Sequence, residues 1–143
     1  MPTFKHGKNA VFLMTGSSTG AFDFTNVVTD VSLSKSMETG ETTAFSNLNK
    51  SYIVGLQDAT ISVSGYYDPT ADENINGAIA RLSNGTVSSL SFSVGPSGSS
   101  SGSDIKYSGA CLITSYELAP AVADVVPFSL ELQVTGSVTR GTW

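Results

Sequence analysis

Cysteine and histidine are almost missing from this chain: Cys111 and His6 are the only ones. One cysteine cannot form an intrachain disulfide, which excludes a disulfide-stapled secreted module. One of each cannot supply a Cys/His metal site, so no metal ligands are expected. A Ser-His-Asp arrangement would have to recruit His6 from the N-terminal segment, and no nucleophile-elbow pattern is present. No catalytic residue and no cofactor are therefore expected. Charge is scarce too. Charged residues are 13% of the chain, about half the usual ~25%. The balance is acidic, with Lys+Arg 7 against Asp+Glu 12 and a net charge of −5, which argues against a protein that grips nucleic acid by its phosphates. Aromatics are not interleaved with a basic patch, so no base-stacking surface is indicated. No apolar run is long enough to span a membrane. The N-terminal MPTFKHGKNAVFLM lacks a clear hydrophobic core of a signal peptide, and folding in a reducing cytoplasm is expected.

Weaker chemical motifs fall away on spacing. Asp68, Asp72 and Glu73 do not have the spacing of an EF-hand and are better explained by helix capping. Gly16–Gly20, GSSTG, lacks the Lys-Ser/Thr ending of a phosphate loop.

What the chain does have is alternation. In VVPFSLELQVTGSV, residues Val126, Phe128, Leu130, Leu132, Val134 and Val138 share one parity, with Gly136 as the gap. Ser129, Glu131, Gln133, Thr135 and Ser137 share the other. A period of two puts successive side chains on opposite faces of a strand, one dry and one wet. Thirteen residues at ~3.3 Å each would reach roughly 40 Å, about twice a common strand length. A wall has use for such a strand; a small globule does not.

Other strands are predicted around it. Asn9–Met14 is short, and Phe22 and Phe24 flank Asp23. In Val27–Ser36, Val31, Leu33 and Lys35 oppose Asp30, Ser32 and Ser34. In Asp58–Tyr67, Ile61, Val63 and Gly65 oppose Thr60, Ser62 and Ser64. Ser88–Val94 and Asp104–Leu118 follow, separated by the Gly/Ser loop 95–103. Cys111 falls on the apolar parity of its strand, which makes it a buried structural thiol. One helix is predicted over about 70–83, with Thr70 as N-cap and Glu73 at capping-box spacing. Its stripe is Ile75, Ala78, Ile79 and Leu82, and Asn84-Gly85 stops it. The 143 residues make one domain, 1–143.

Met37–Leu56 shows no sustained periodicity, with short strands expected only at Thr42–Phe45 and Tyr52–Val54. An irregular connection of that length in a small domain is uncommon. It is predicted to be a projecting arm that orders on a neighbouring subunit, the plainer alternative being a surface loop. Phe45, Tyr52, Ile53 and Leu56 are too apolar to be left in water, and Glu38, Glu41 and Lys50 supply charge. The N-terminal extension 1–8 offers Phe4 for similar work.

The segments DATISVSGYYDPTADENI and KYSGACLITSYELAPAVADVVPFSLELQVTGSVTRGT resemble the major tail tube protein of long-tailed bacteriophages. MPTFKHGKNAVFLMTG and ETTAFSNLNKSYIVGLQDATISVSG are similar to the same family, so the resemblance spans most of the chain. It implies a mainly β, sandwich- or barrel-like domain with one flanking helix. Such subunits would assemble into hexameric rings that stack into a hollow virion tail, built in the bacterial host cytoplasm. The partners implied are the subunit itself, a tape measure, a tail terminator and a distal tail protein. DNA would pass without specific binding, and no membrane is involved.

Two site expectations follow. A DNA passage should be neutral or repellent to phosphates, which predicts that Glu131, Gln133 and Thr135, with Thr60, Ser62 and Ser64, line the lumen. The long strand 126–138 should belong to the sheet that becomes the inner barrel when ring closure removes the open edges of the subunit. The alternatives are a β-sandwich binding or decoration module of a virion or cell surface and, least supported, an enzyme.

Overall fold

Alternation in the C-terminal segment becomes a strand of 16 residues, β7 (Pro127–Thr142), with Phe128, Leu130, Leu132 and Val134 buried and the residues between them turned away from the core. The computed structural model describes residues 4, 7–16, 20–46, 48–98, 102 and 104–143; His6, the centre of GSSTG and part of the 95–103 loop lie outside these. The remaining strands are β1 (Val11–Thr15), β2 (Ala21–Asp23), β3 (Val28–Glu41), β4 (Tyr52–Tyr66), β5 (Leu90–Gly95) and β6 (Ile105–Leu118), with one helix, α1 (Pro69–Ser83), between β4 and β5.

All seven strands join one antiparallel sheet in the order β2-β1-β5-β6-β7-β4-β3. Register aligns the apolar parities across it. Leu90 pairs with Cys111 and Cys111 with Val134. Ile113 pairs with Leu132, Leu132 with Ile61, and Ile61 with Leu33. One face of the whole sheet is thus a continuous apolar surface, and the sheet bends to bury it. The bend shows in contacts between strands that are not neighbours: the Lys35 ammonium of β3 lies 5.8 Å from the centre of the Tyr107 ring of β6. The sandwich is one sheet folded over, not two separate sheets. The chain crosses from β2 to β3 at Phe24–Val27, where Phe24 N–H donates to Phe12 O at 3.0 Å and the Thr25 hydroxyl oxygen accepts from Phe12 N–H at 3.2 Å. β2 and β3 do not pair. The barrel therefore stays open on that side, leaving a recess of about 730 Å³ bounded by β3, Val11, Phe12 and Tyr107.

Helix α1 closes the core with Ala71, Ile75 and Ala78 buried, and Ile79 and Leu82 packed beside them. Its N-cap is Asp68 and not Thr70: the Asp68 carboxylate accepts from Ala71 N–H at 3.1 Å. Pro69, with its φ preset for the first helical position, fixes the helix start one residue earlier than expected. Asn84 caps the C-terminus and Gly85 follows with φ +80°, the left-handed turn that glycine takes at low cost.

β7 is paired with β6 on one side and β4 on the other. Among the described residues the outer edges of the sheet belong to β2 and β3. One expectation is corrected by the topology: Met37–Leu56 is not an irregular arm. β3 and β4 run through it as a long hairpin, pairing Met37 with Gln57, Thr39 with Val54 and Glu41 with Tyr52. Tyr52–Val54 does open a strand; Thr42–Phe45 does not.

Candidate functional site

The polar parities of three neighbouring strands come into register on the sheet face opposite the core. Ser34 of β3, Thr60 of β4 and Gln133 of β7 form one cross-strand row. Ser32, Ser62 and Glu131 form the next, and Asp30, Ser64 and Ser129 the third. Ser36 and Asp58 extend the rows, and Thr135 continues β7 opposite Ala110 of β6. The six residues expected to line a lumen (Glu131, Gln133, Thr135, Thr60, Ser62 and Ser64) lie on this one face of the sheet. Asp30, Ser32, Ser34, Ser36, Asp58 and Ser129 join them. Their parity was visible in the sequence, but their alignment with β7 depends on register. No lysine or arginine occupies these outward positions, so Asp30, Asp58 and Glu131 are their only charges.

Hydrogen bonds hold this surface in place. Ser62 Oγ donates to Glu131 Oε2 at 2.8 Å. Gln133 Nε2 donates to Asp58 Oδ1 at 2.6 Å and to Ala59 O at 3.1 Å, and Thr114 Oγ1 donates to Glu131 O at 3.1 Å. Each of the two acidic side chains thus faces a neutral donor and not a cation, so the surface keeps its negative charge.

The hairpin extends beyond this surface. Ala59 is the last buried residue of β4 towards the tip, and from Tyr52 to Asp58 both faces are exposed. Glu38, Glu41, Phe45, Lys50, Tyr52, Ile53 and Leu56 all lie on it in the open, Leu56 with 79% of its surface exposed. A bulge between Met37 and Thr39 shifts the register. Gly55 sits there because a side-chain carbon would come within 3.1 Å of Glu38 O. The tip is closed by Thr42 N–H donating to Ser51 O at 2.8 Å and Ser51 N–H donating to Thr43 Oγ1 at 2.9 Å. The two strands of the hairpin are therefore paired with each other within one chain up to the residues that flank the tip. Phe4 is also exposed, but it is not brought near the hairpin by any contact described.

The core side is chemically quiet. Cys111 is free and buried, and burial pushes its thiol up to about 12. Tyr116 is raised well above the usual phenol range, first by burial and then by its hydrogen bond to Asp72. That bond, Tyr116 Oη to Asp72 Oδ1 at 2.7 Å, ties β6 to the first turn of α1. Among the described residues no group of three or more His, Cys, Asp or Glu is placed to hold a metal ion.

Along β6 from Leu112 to Leu118 only β7 pairs with the strand, because β5 ends opposite Cys111. The four long strands β6-β7-β4-β3 are therefore bounded by an open stretch of β6 and by the open edge of β3.

The profile of the phage tail tube protein family matches residues 5–140. The chain belongs to that family. No curated protein sequence matches it closely. Solved structures match the tail tube protein along nearly its whole length. The tail of an empty gene transfer agent particle, determined with helical refinement and C6 symmetry, is 18% identical with a TM-score of 0.73, covering 97% of this chain and 100% of that one. The SPP1 tail tube is 15% identical with a TM-score of 0.74, covering 97% and 80%. The tube and sheath complex of an extracellular contractile injection system is 13% identical with a TM-score of 0.67, covering 100% and 92%. At these identities the likeness is one of fold. Family membership makes the chain a structural component of the virion tail and accounts for its long strands.

Proposed function

We propose that this protein is the subunit of stacked hexameric rings forming the tail tube of a long-tailed phage, and that the polar face of β3, β4 and β7 lines the channel through which DNA passes. The observation that carries this reading is the surface of Ser, Thr, Gln, Asp and Glu, free of Lys and Arg, spread over three strands in register. Duplex DNA carries one negative charge per ~1.7 Å of axis, and each cation that neutralised a phosphate would add affinity. A moving genome needs the opposite. Carboxylates repel phosphate within a Debye length of ~8–10 Å, and hydroxyls keep the wall wetted.

Ring closure follows from the edges. β6, β7, β4 and β3 alternate in direction, so β3 of one subunit meets β6 of the next antiparallel, and the ladder continues without a break of polarity. A free edge is an aggregation hazard that closure into a barrel removes. In this reading β7 contributes to the inner barrel through its face, while β3 and the Leu112–Leu118 stretch make the joints. The hairpin, with Phe45, Tyr52, Ile53, Leu56, Glu38, Glu41 and Lys50, is the inter-subunit arm, and Phe4 a lesser contact. A tape measure, a terminator and a distal tail protein set the ends and length, with assembly in the host cytoplasm.

The test is Glu131→Lys combined with Gln133→Lys. Both positions are on the outward face, so the protein should fold and assemble, and genome ejection should slow. Normal ejection through lysine-bearing tubes would remove the lumen from this face. Purified wild-type protein that sediments only as a monomer would favour a binding or decoration module instead.

A further inference from the structure

Asn-Gly occurs at two places in the chain, Asn76-Gly77 and Asn84-Gly85. In such a pair a backbone amide nitrogen follows a side-chain amide carbon, and glycine has no Cβ to hinder their approach. The fold holds the two pairs differently. Asn76 lies inside α1, and its Nδ2 donates back to Asp72 O at 3.0 Å and to Asp72 Oδ1 at 3.1 Å. That turns its side chain towards the preceding turn and away from Gly77. The Gly77 N–H belongs to the helical ladder, so using its nitrogen would break a helix bond. Asn84 is exposed and stands past the last helical residue, with φ −90° and ψ 1°. Gly85 N–H reaches Leu82 O only at 3.4 Å, longer than an ordinary hydrogen bond, so little holds that nitrogen. Asn84 Oδ1 accepts from Thr86 N–H at 3.0 Å and also from the Thr86 hydroxyl.

We infer that Asn84-Gly85 is a self-modification site, at which Gly85 N attacks Asn84 Cγ and closes a succinimide ring, with Thr86 assisting. Hydroxide takes the Gly85 amide proton. As the Gly85 N–Cγ bond forms, an electron pair of the Cγ–Oδ1 double bond moves onto Oδ1. Both Thr86 donors already sit on that oxygen, and donors placed where an oxyanion develops lower the barrier. Collapse breaks the Cγ–Nδ2 bond, and Nδ2 leaves as ammonia after taking a proton from water. Water then opens the ring. Cleavage at Cγ leaves aspartate; cleavage at the main-chain carbonyl leaves isoaspartate and a longer backbone. Nothing is oxidised or reduced. Either product puts a carboxylate just past the C-terminus of α1, where the helix dipole is already negative. The inference goes beyond the tube reading and does not rest on it. A virion makes no new protein after release, so converted copies of a tail component accumulate with age.

The experiment incubates the full-length protein at pH 8 and digests samples with trypsin against an unincubated control. Cleavage after Lys50, Arg81 and Lys106 puts Asn76 and Asn84 in separate peptides. Mass spectrometry reads the amide-to-acid change in each, and labelling by an isoaspartyl methyltransferase reads isoaspartate. Asn84 should convert at least about tenfold faster than Asn76, the ratio that ~1.4 kcal/mol of local helix opening gives. Its products should include isoaspartate. In urea, where the same two pairs lose their surroundings, the rates should converge. Thr86→Val keeps the N–H donor and deletes the hydroxyl, so conversion at Asn84 should slow severalfold, and Thr86→Ser should restore it. Equal rates at the two asparagines in the folded protein would overturn the site. So would aspartate without isoaspartate, since direct hydrolysis needs no ring. A difference that persists in urea would overturn it too, by tracing the contrast to neighbouring sequence and not to the fold. Conversion in Thr86→Val as fast as in the wild type, or faster, would overturn the part given to Thr86.

Discussion

Replacing Tyr116 with phenylalanine isolates the strut between β6 and α1. The phenol donates to Asp72 Oδ1 at 2.7 Å, and its ring packs edge-on to Phe128 with centroids 6.1 Å apart. Phenylalanine keeps the ring contact and deletes only the hydroxyl. Asp72 is not orphaned, since Asn76 Nδ2 still donates to it at 3.1 Å. A hydrogen bond to a charged group contributes ~1.5–3 kcal/mol. Tyr116 is only partly buried and Asp72 keeps a second donor, so about 1 kcal/mol is expected, or roughly 3–4 °C in Tm for a domain of this size. The pH dependence is more diagnostic. The folded phenol is raised above its ordinary value, chiefly by burial and then by Asp72. A raised acid contributes stability that is fully present below the unfolded pKa of ~10 and is lost as pH rises towards the folded one. Above pH ~10 the unfolded wild type ionises and the phenylalanine variant does not, so the gap should close at about 1.4 kcal/mol per pH unit. Urea midpoints at pH 7, 9, 10 and 11 test this. Equal stability at pH 7, or a gap that stays constant to pH 11, would refute the strut.

Three further outcomes are expected. Asp68→Ala removes the N-cap acceptor of Ala71 N–H and should cost ~1 kcal/mol in urea unfolding, with Asp68→Asn largely rescuing it. Gly65→Ala should cost about 1–3 kcal/mol, because the added carbon would lie 2.9 Å from Val28 Cα and 3.0 Å from Phe128 Cε1; unchanged melting would mean that β3 does not cross β4 so closely. Cys111 should resist thiol reagents at pH 8 in the folded protein and react in urea. Because its pKa rises from 9.0 to about 12 on burial, its share of stability is intact below pH 9 and declines between 9 and 12, and Cys111→Ala should remove that one-proton slope.

Local periodicity, which is a property of adjacent residues, determined much of this protein. Phe128, Leu130, Leu132 and Val134 are buried because a strand turns alternate residues to one face, and Cys111 shares their side. The stripe Ile75, Ala78, Ile79 and Leu82 placed α1 on the core, and Asn84-Gly85 ended it for reasons of φ that no neighbour alters. Only the tertiary structure decided how the strands stand beside one another. Ser32, Ser62 and Glu131 became one row through register, which depends on every turn and bulge between them. β7 became a central strand and β3 an edge, although alternation alone does not tell a central strand from an edge. Met37–Leu56 hid its strands for a related reason. Alternation records a dry face against a wet one, and beyond Ala59 the hairpin has left the core, so both faces of Tyr52–Asp58 are open and a bulge breaks the phase. A strand that has left the core has no dry face within its own chain to write into its pattern.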